Sequence, residues 1–590
     1  MYYIWRALEI INDNLTHLTE NKMTSIKLNI INIFRVVCVM TLLVIQSSGF
    51  AQVYGQNGMV VSSNAVASKV GIDILKKGGN AIDASIATAF ALEVTHPGAG
   101  NIGGGGFMVF MNAEGKVTTI DFREKAPLAA TPNMFLDSNG KLIEDSNHDN
   151  IKAVGVPGTV AGLFMAHQKY GKLPWRELVQ PSVDLARNGF IMPWGLYKEA
   201  LNIVDVYKSF DFIRGYFNDA QGEVTKPGEL WKQPALAKTL ELIRDKGRDG
   251  FYKGDVANEI EAFMKKNGGI ITKKDLENYT AVERKPITGT YKDYQIYSMP
   301  PPSSGGLALI EMMNMMELAN LDSVKFNSTA YVHLVAEVMR RAFADRAEYL
   351  GDPDFNLDMP LTQLTSKPFA KKRFDNIDPH KASVSDSSKF GHPYDGNNTT
   401  HFSVVDKDGN AVSLTYTLEY YYGSRMGSNI LGFIFNNEMG DFNPVPGMTT
   451  NGGQVGTPPN LIAPGKRMLS SMCPIIVAKN GKPYLIIGSP GGRTIINTVF
   501  QTVLNVLAYN MRIDKAIEAM KIHHQWLPDE ILYEKDLMSP DTKIALEKMG
   551  YHLQSVDNIG SLMGITYDAK FKVYMGAADA SSPDGGAVGY

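Results

Sequence analysis

Gly396-Asn397-Asn398-Thr399-Thr400-His401-Phe402-Ser403-Val404-Val405, returned through Asp408-Gly409 by Ala411-Val412-Ser413-Leu414-Thr415-Tyr416-Thr417, is the stretch that decides how this chain is read. From Ser383 to Asn398 the sequence is polar, rich in Ser, Gly and Asp, and free of apolar periodicity, which predicts an exposed segment. At Thr399 it changes to two alternating runs joined by a strong turn dipeptide, the pattern of a β-hairpin. With Asp408-Gly409 as a two-residue turn, Lys407 faces Asn410 and Thr417 falls opposite Thr400, one residue from Thr399. A β-branched Thr at a strand start is ordinary by itself, so its meaning depends on the rest of the chain.

Other hairpins lie around it. Residues 474–477 turn at Asn480-Gly481 into 484–487, 564–567 pair with 573–575, and 107–111 pair with 117–121 across Ala113-Glu114-Gly115. Asn64 caps a helix that stops at Gly78-Gly79; a second begins near Ala81, and its series Ala84, Ala87, Ala89 and Ala91 lets the two pack closely. Further helices are expected over 158–170, 175–188, 234–246, 255–266, 305–319 and 329–350, and another opens at about Thr494, after Gly491-Gly492. With helices early, strands from 107 and the strongest hairpins late, the expected class is α/β, layered sheets with helices outside.

The chain has 590 residues, of which 44% are hydrophobic and 20% charged, so it can bury a large core and is not mainly disordered. A formal charge of −3 gives no general attraction to nucleic acid or acidic lipid. Between Met23 and Ile72 there is no Asp or Glu, and Lys27 and Arg35 precede the apolar run 36–45. A run this short falls below the roughly 20 residues that span a bilayer. With small residues before Ala51, it reads as a signal peptide over residues 1–51, which predicts a periplasmic or secreted protein starting near Gln52. Glu9, Asp13 and Glu20 suit an export signal badly, which points to Met23 as an alternative start. Removal of Cys38 with that segment leaves Cys473 as a single thiol and no disulfide framework.

Several chemistries are excluded by context. Gly98-Ala99-Gly100-Asn101-Ile102-Gly103 matches a dinucleotide fingerprint as a string, but a strand follows where a helix is required. Side chains of the adjacent His523-His524 diverge on any regular element, which disfavours a metal site. No metal or cofactor is called for.

The ordered blocks Thr95-His96-Pro97 with 103–107, Asp121-Phe122-Arg123-Glu124, Pro300-Pro301-Pro302-Ser303-Ser304-Gly305-Gly306, Thr399-Thr400-His401, 436–442, Ser470-Ser471-Met472 and 488–492 resemble the γ-glutamyltransferase (γ-glutamyltranspeptidase) family of N-terminal nucleophile hydrolases, from about Gly58 to Tyr590. The resemblance implies a four-layer αββα sandwich, with a large subunit over 52–398 and a small subunit over 399–590 cut from one precursor. It also implies hydrolysis or transfer of γ-glutamyl groups from glutathione and related amides to water, amino acids or peptides. Thr399 is then the nucleophile that first cuts the Asn398–Thr399 bond, and its freed α-amine, with a pKa of roughly 8, serves as its own base.

On the same resemblance Thr417 is the hydroxyl partner of the nucleophile, and Gly491 and Gly492 supply oxyanion N–H groups. Arg123, Ser470 and Ser471 receive the substrate α-carboxylate, while Glu438 and Asp441 receive the α-ammonium. The chain departs from the family pattern at Glu419, where an Asn is usual. That adds a third carboxylate beside the acid pair, able to tighten ammonium binding or to leave one of the three protonated through like-charge repulsion. Segment 443–464 is long enough for the lid of some members but has no Tyr to gate it, which favours hydrolysis. The C-terminal 580–590 lacks an Arg common in the family. The alternatives are an acylase of the cephalosporin or glutaryl type on the same scaffold, or an exported binding protein that never matures.

Overall fold

The computed structural model describes residues 52–386, 399–452 and 456–590. The proposed signal segment and Asn398 lie outside the described residues.

Two antiparallel sheets of seven strands form its centre. The first runs in the order Gly586–Gly589, Met59–Ser62, Thr399–Val405, Ala411–Thr417, Gly105–Met111, Val117–Phe122 and Val282–Arg284. The second runs Val53–Gly55, Val573–Ala578, Met563–Asp568, Lys482–Gly488, Ile475–Lys479, Tyr294–Ser298 and Ile287–Tyr291.

The period-2 alternation of the strands explains the layers. Phe402, Val404, Val412, Leu414 and Tyr416 point outward into a core shared with the helices Ala65–Lys76 and Ala81–Thr95. Val405 and Ala411 belong to the opposite face and meet Ile476, Ile486, Met563 and Ile565 of the second sheet. The far side of that sheet, with Ile475, Val477, Leu485 and Ile487, packs on the helices Gly305–Leu318, Thr329–Tyr349 and Thr494–Leu507. The order is helix, sheet, sheet, helix. Both central strands of the first sheet are buried on both faces; apart from Thr400, their Thr, His and Ser side chains lie toward the inter-sheet layer.

The expected helices are present with ends shifted by a residue or two, including Thr159–Tyr170, Trp175–Asn188 and Pro234–Lys246. Asn64 caps the first through a bond from the Val66 amide at 2.9 Å. The hairpin at Asn480-Gly481 has its two-residue turn, with φ of 53° and 76° and Lys479 facing Lys482.

Two expectations are corrected. Strands do not start at 107: Val53–Gly55 and Met59–Ser62 precede it, and are too short for alternation to register. The C-terminal segment ends in the strand Gly586–Gly589, paired with Met59–Ser62. The central hairpin is out by one residue, because its loop has three residues, not two. Asp406 faces Asn410, whose carbonyl accepts the Asp406 amide at 3.0 Å, and Gly409 sits in the left-handed region at φ 88°. The Asp406 carboxylate accepts the amides of Asp408 and Asn410, both at 3.0 Å, which stabilises the longer loop. Thr417 therefore pairs with Thr399 itself, and Thr400 with Tyr416.

Candidate active site

That register puts Thr399 and Thr417 side by side on the inter-sheet face at the open end of the hairpin. Their hydroxyl oxygens are 3.3 Å apart. Thr400, one residue on, points the other way and bonds to Ser63 at 2.7 Å. Thr417 is fixed from several sides. The Asn101 amide donates to its carbonyl at 2.9 Å, and the Glu419 amide donates to its hydroxyl at 2.9 Å. Gly104 is needed beside it, since a Cβ there would lie 2.0 Å from the Thr417 carbonyl oxygen. Asn101, within the string that fails as a nucleotide loop, and Gly104 just after it thus pack against this hairpin. His401, on the same face, is held neutral: burial lowers its pKa to about 3, and its nitrogens meet Thr415 at 2.8 Å and Ser403 at 3.1 Å. It is not placed to serve as a base for Thr399.

A narrow pocket opens over the two threonines, lined by Arg123, Thr399, Thr417, Glu419, Glu438, Asp441, Ser470, Ser471 and Gly492. Sequence reasoning named these nine as site residues, and did not name Met472, Arg493 and Ile495, which complete the lining. Gly491 lies one residue earlier in the same turn, where its carbonyl accepts the Thr494 amide at 3.1 Å; φ is 130° at Gly491 and 56° at Gly492. Arg123 follows the strand Val117–Phe122 and is fully buried. Its two terminal nitrogens pair separately with Glu438 and Asp441. Burial works against the guanidinium charge, but the surrounding carboxylates more than offset it and raise its pKa. Burial also raises Glu124, to about 7, and Glu438.

Of the supporting groups, Asn436, Pro302 and Ser304 stand in the ordered blocks without a role assigned to them, and Arg346 stands outside those blocks. Asn436 accepts the amides of Gly155 at 2.8 Å and Glu438 at 3.0 Å, which sets the short turn Glu438–Asp441. Ser470 is gripped by the loop before the helix Gly305–Leu318: its amide donates to the Pro302 carbonyl at 2.8 Å, and its own carbonyl accepts the Ser304 hydroxyl at 2.6 Å. Arg346 donates to Ser304 at 2.8 Å and to the Ser471 hydroxyl at 3.0 Å, so that hydroxyl proton is left to point away from the guanidinium. A second cavity of about 360 Å³ shares Asp441 and Arg493 with the pocket and is also lined by Arg346 and His148.

His523 contacts Asn497 and Gln525, and His524 contacts Asp529. Among the described residues no cluster suited to a metal ion occurs, and no helix is long and apolar enough to cross a membrane. Burial holds the Cys473 thiol protonated, its pKa pushed well up.

Two central antiparallel sheets faced by helices, with the site at the start of a middle strand, define the αββα architecture of the N-terminal nucleophile hydrolases. The crystal structure of cephalosporin acylase from Bacillus halodurans is similar over 92% of this chain and 97% of that one, with a TM-score of 0.81 and 27% identity. A family model described as Gamma-glutamyltranspeptidase matches residues 67–589. The chain is 45% identical over 549 residues to the glutathione hydrolase proenzyme of Escherichia coli (strain K12), spanning 92% of this chain and 94% of that protein. It is 42% identical over 548 residues to the glutathione hydrolase proenzyme of Pseudomonas aeruginosa, spanning 92% and 96%. The chain belongs to the γ-glutamyltranspeptidase family.

Proposed function

We propose that this chain is an exported, self-cleaving enzyme that hydrolyses or transfers the γ-glutamyl group of glutathione and related amides through an ester on Thr399. The observation that carries the proposal is the Thr399–Thr417 hydroxyl pair at 3.3 Å beneath a pocket holding both a buried guanidinium and a set of carboxylates. Relatives named as glutathione hydrolase proenzymes support both the substrate class and the maturation.

In maturation the Thr399 hydroxyl attacks the Asn398 carbonyl. The C–N bond breaks as the acyl group moves to oxygen, and water then hydrolyses the ester, leaving residues 52–398 and 399–590 as two subunits of one sandwich. The freed α-amine takes the hydroxyl proton while the Thr399 oxygen attacks the γ-carbonyl of the substrate. N–H groups at Gly491 and Gly492 stabilise the tetrahedral oxyanion, and the leaving amine departs with the proton. Water or an acceptor amine then attacks the ester and regenerates Thr399. Arg123, Ser470 and Ser471 hold the α-carboxylate; Glu438, Asp441 and Glu419 hold the α-ammonium. The adjoining cavity of about 360 Å³ accommodates the leaving group.

A denaturing gel tests the cleavage. Wild type runs as two fragments, Thr399→Ala as one band, and N-terminal sequencing of the smaller fragment begins at Thr399. A single uncut wild-type band sinks the proposal. The acylase reading draws on the cephalosporin acylase likeness; it predicts turnover of glutaryl amides with none of γ-glutamyl anilides, whereas a carboxylate-rich pocket predicts the reverse.

A further inference from the structure

The family position usually held by Asn carries Glu419, and the backbone there is left-handed, with φ 76°. Asn enters that region readily; a longer side chain does so at a cost of roughly 1–2 kcal/mol. Something in the fold retains the Glu. Its carboxylate is buried and meets one ring nitrogen, Nδ1 of His148, which is 3.1 Å from one oxygen and 3.2 Å from the other. His148 is itself buried and stacked on Tyr420, the residue after Glu419, with ring centroids 4.5 Å apart and planes 3° from parallel. Gly440, inside the turn that carries Glu438 and Asp441, makes room for the imidazole, since a Cβ at that glycine would lie 2.2 Å from the ring. His148 therefore touches two of the segments that form the ammonium end of the pocket, and it also lines the larger cavity next door.

We infer that His148 is a positioning residue for γ-glutamyl recognition: its imidazolium holds Glu419 ionised and aimed at the substrate α-ammonium, so that the Glu419–His148 pair replaces the Asn of other family members. The inference rests on the proposed role of this pocket in binding γ-glutamyl groups.

The charges around the pair agree. Burial opposes the His148 charge, but Glu419 in contact, and Asp441 and Asp149 further off, raise its pKa above the ordinary histidine value. Burial raises Glu419 to about 6, with His148 and Arg123 opposing the shift and Asp441 adding to it. Arg425 lies over the Tyr420 ring at 5.1 Å and is itself paired with Asp149. Glu438, on the turn against the imidazole, is engaged by Arg123. The contact thus favours the charged form of each partner, and Glu419 loses its charge as the pH falls through about 6.

The test is the pH profile of kcat/KM on a γ-glutamyl anilide for the processed enzyme, wild type against His148→Asn, which keeps a donor near Nδ1 but no charge. Losing an adjacent opposite charge moves a carboxyl by roughly 1–3 pH units, so the acid limb should move up by about one unit or more, carried by KM. At pH 6.5 inhibition by L-glutamate should weaken about threefold or more, while glutarate, which lacks the ammonium, should inhibit equally well. An unmoved acid limb, or an equal loss with glutarate, overturns the inference. Should His148→Asn fail to process, histidine-selective NMR of wild type and Glu419→Gln decides: the imidazole pKa should lie above 6.5 in the first and fall in the second, and an unchanged value overturns it. Glu419→Gln kinetics separate the two levels: no effect on γ-glutamyl KM defeats the pocket reading itself, whereas an effect with a silent His148→Asn defeats only the inference.

Discussion

Replacing Thr417 by Val keeps the shape of a side chain that is 2% exposed and deletes one hydroxyl. That hydroxyl accepts the Glu419 amide at 2.9 Å and lies 3.3 Å from the Thr399 hydroxyl. Two effects follow and can be separated. The buried Glu419 amide loses its acceptor, which costs stability by about 1–3 kcal/mol. The nucleophile loses the bond that orients it as charge develops on its oxygen; a hydrogen bond to a charged group is worth about 1.5–3 kcal/mol, or roughly 10- to 150-fold in rate. The first effect acts on the backbone of Glu419, whose carboxylate keeps its contact with His148; the second acts on the nucleophile alone, so kcat on a γ-glutamyl anilide should fall by that factor while KM changes less than kcat. Self-cleavage, followed as the fraction cut against time on a denaturing gel, should slow as well. Thr417→Ser should recover most of both. A Val variant whose kcat is within twofold of wild type would refute the reasoning, since the hydroxyl pair would then be structural only.

Gly440→Ala drives a methyl group to 2.2 Å from the His148 ring; we expect KM for the γ-glutamyl anilide to rise at least tenfold, and an unchanged KM would show that the turn moves freely. Arg123→Lys replaces a fork that reaches Glu438 and Asp441 separately with a single ammonium; steady-state kinetics should show kcat/KM lower by roughly tenfold or more, and a smaller change would argue against two-point pairing. His401 has its pKa lowered by burial to about 3, so the folded state binds fewer protons than the unfolded one below pH 6.5. Its contribution to stability is complete above 6.5 and is lost as pH falls toward the folded value. Urea unfolding between pH 6 and 4.5 should therefore show a dependence on pH that is shallower in His401→Gln by about 1.4 kcal/mol per pH unit; equal slopes would count against a buried neutral imidazole.

Much of the architecture could be read from periodicity, because the inter-sheet and outer faces impose strict alternation on strands such as Thr399–Val405 and Ala411–Thr417. The register error shows where that reading stops. Asp408-Gly409 signals a turn but not its length, and the length was decided by the Asp406 carboxylate capping two amides. The pocket residues Arg123, Glu438, Asp441, Ser470 and Ser471 were found through ordered blocks, not through their own chemistry. What holds them had no local signal. His148 sits alone in a polar loop and Arg346 in the middle of a long helix. Their partners, Glu419 and Ser471, lie 271 and 125 residues away in sequence, so only the folded chain brings them together. The helices Trp194–Val206 and Pro540–Lys548 were missed because they are peripheral and only a few of their residues are buried.

The strand that begins at Thr399 lies between Met59–Ser62 and Ala411–Thr417, and the next strand after those is Gly105–Met111. Neighbours on both sides of the future cut are thus laced together before any peptide bond breaks. The two products of maturation are consequently unlike ordinary subunits that fold and then meet. The large piece lacks the middle strands of both sheets, and the small piece lacks Met59–Ser62 inside the first sheet and the outer strands of the second, so each depends on the other to complete its core. Genes for the two pieces expressed apart should give insoluble protein, and mixing them should not restore an enzyme, because the single chain is the mould in which both are cast.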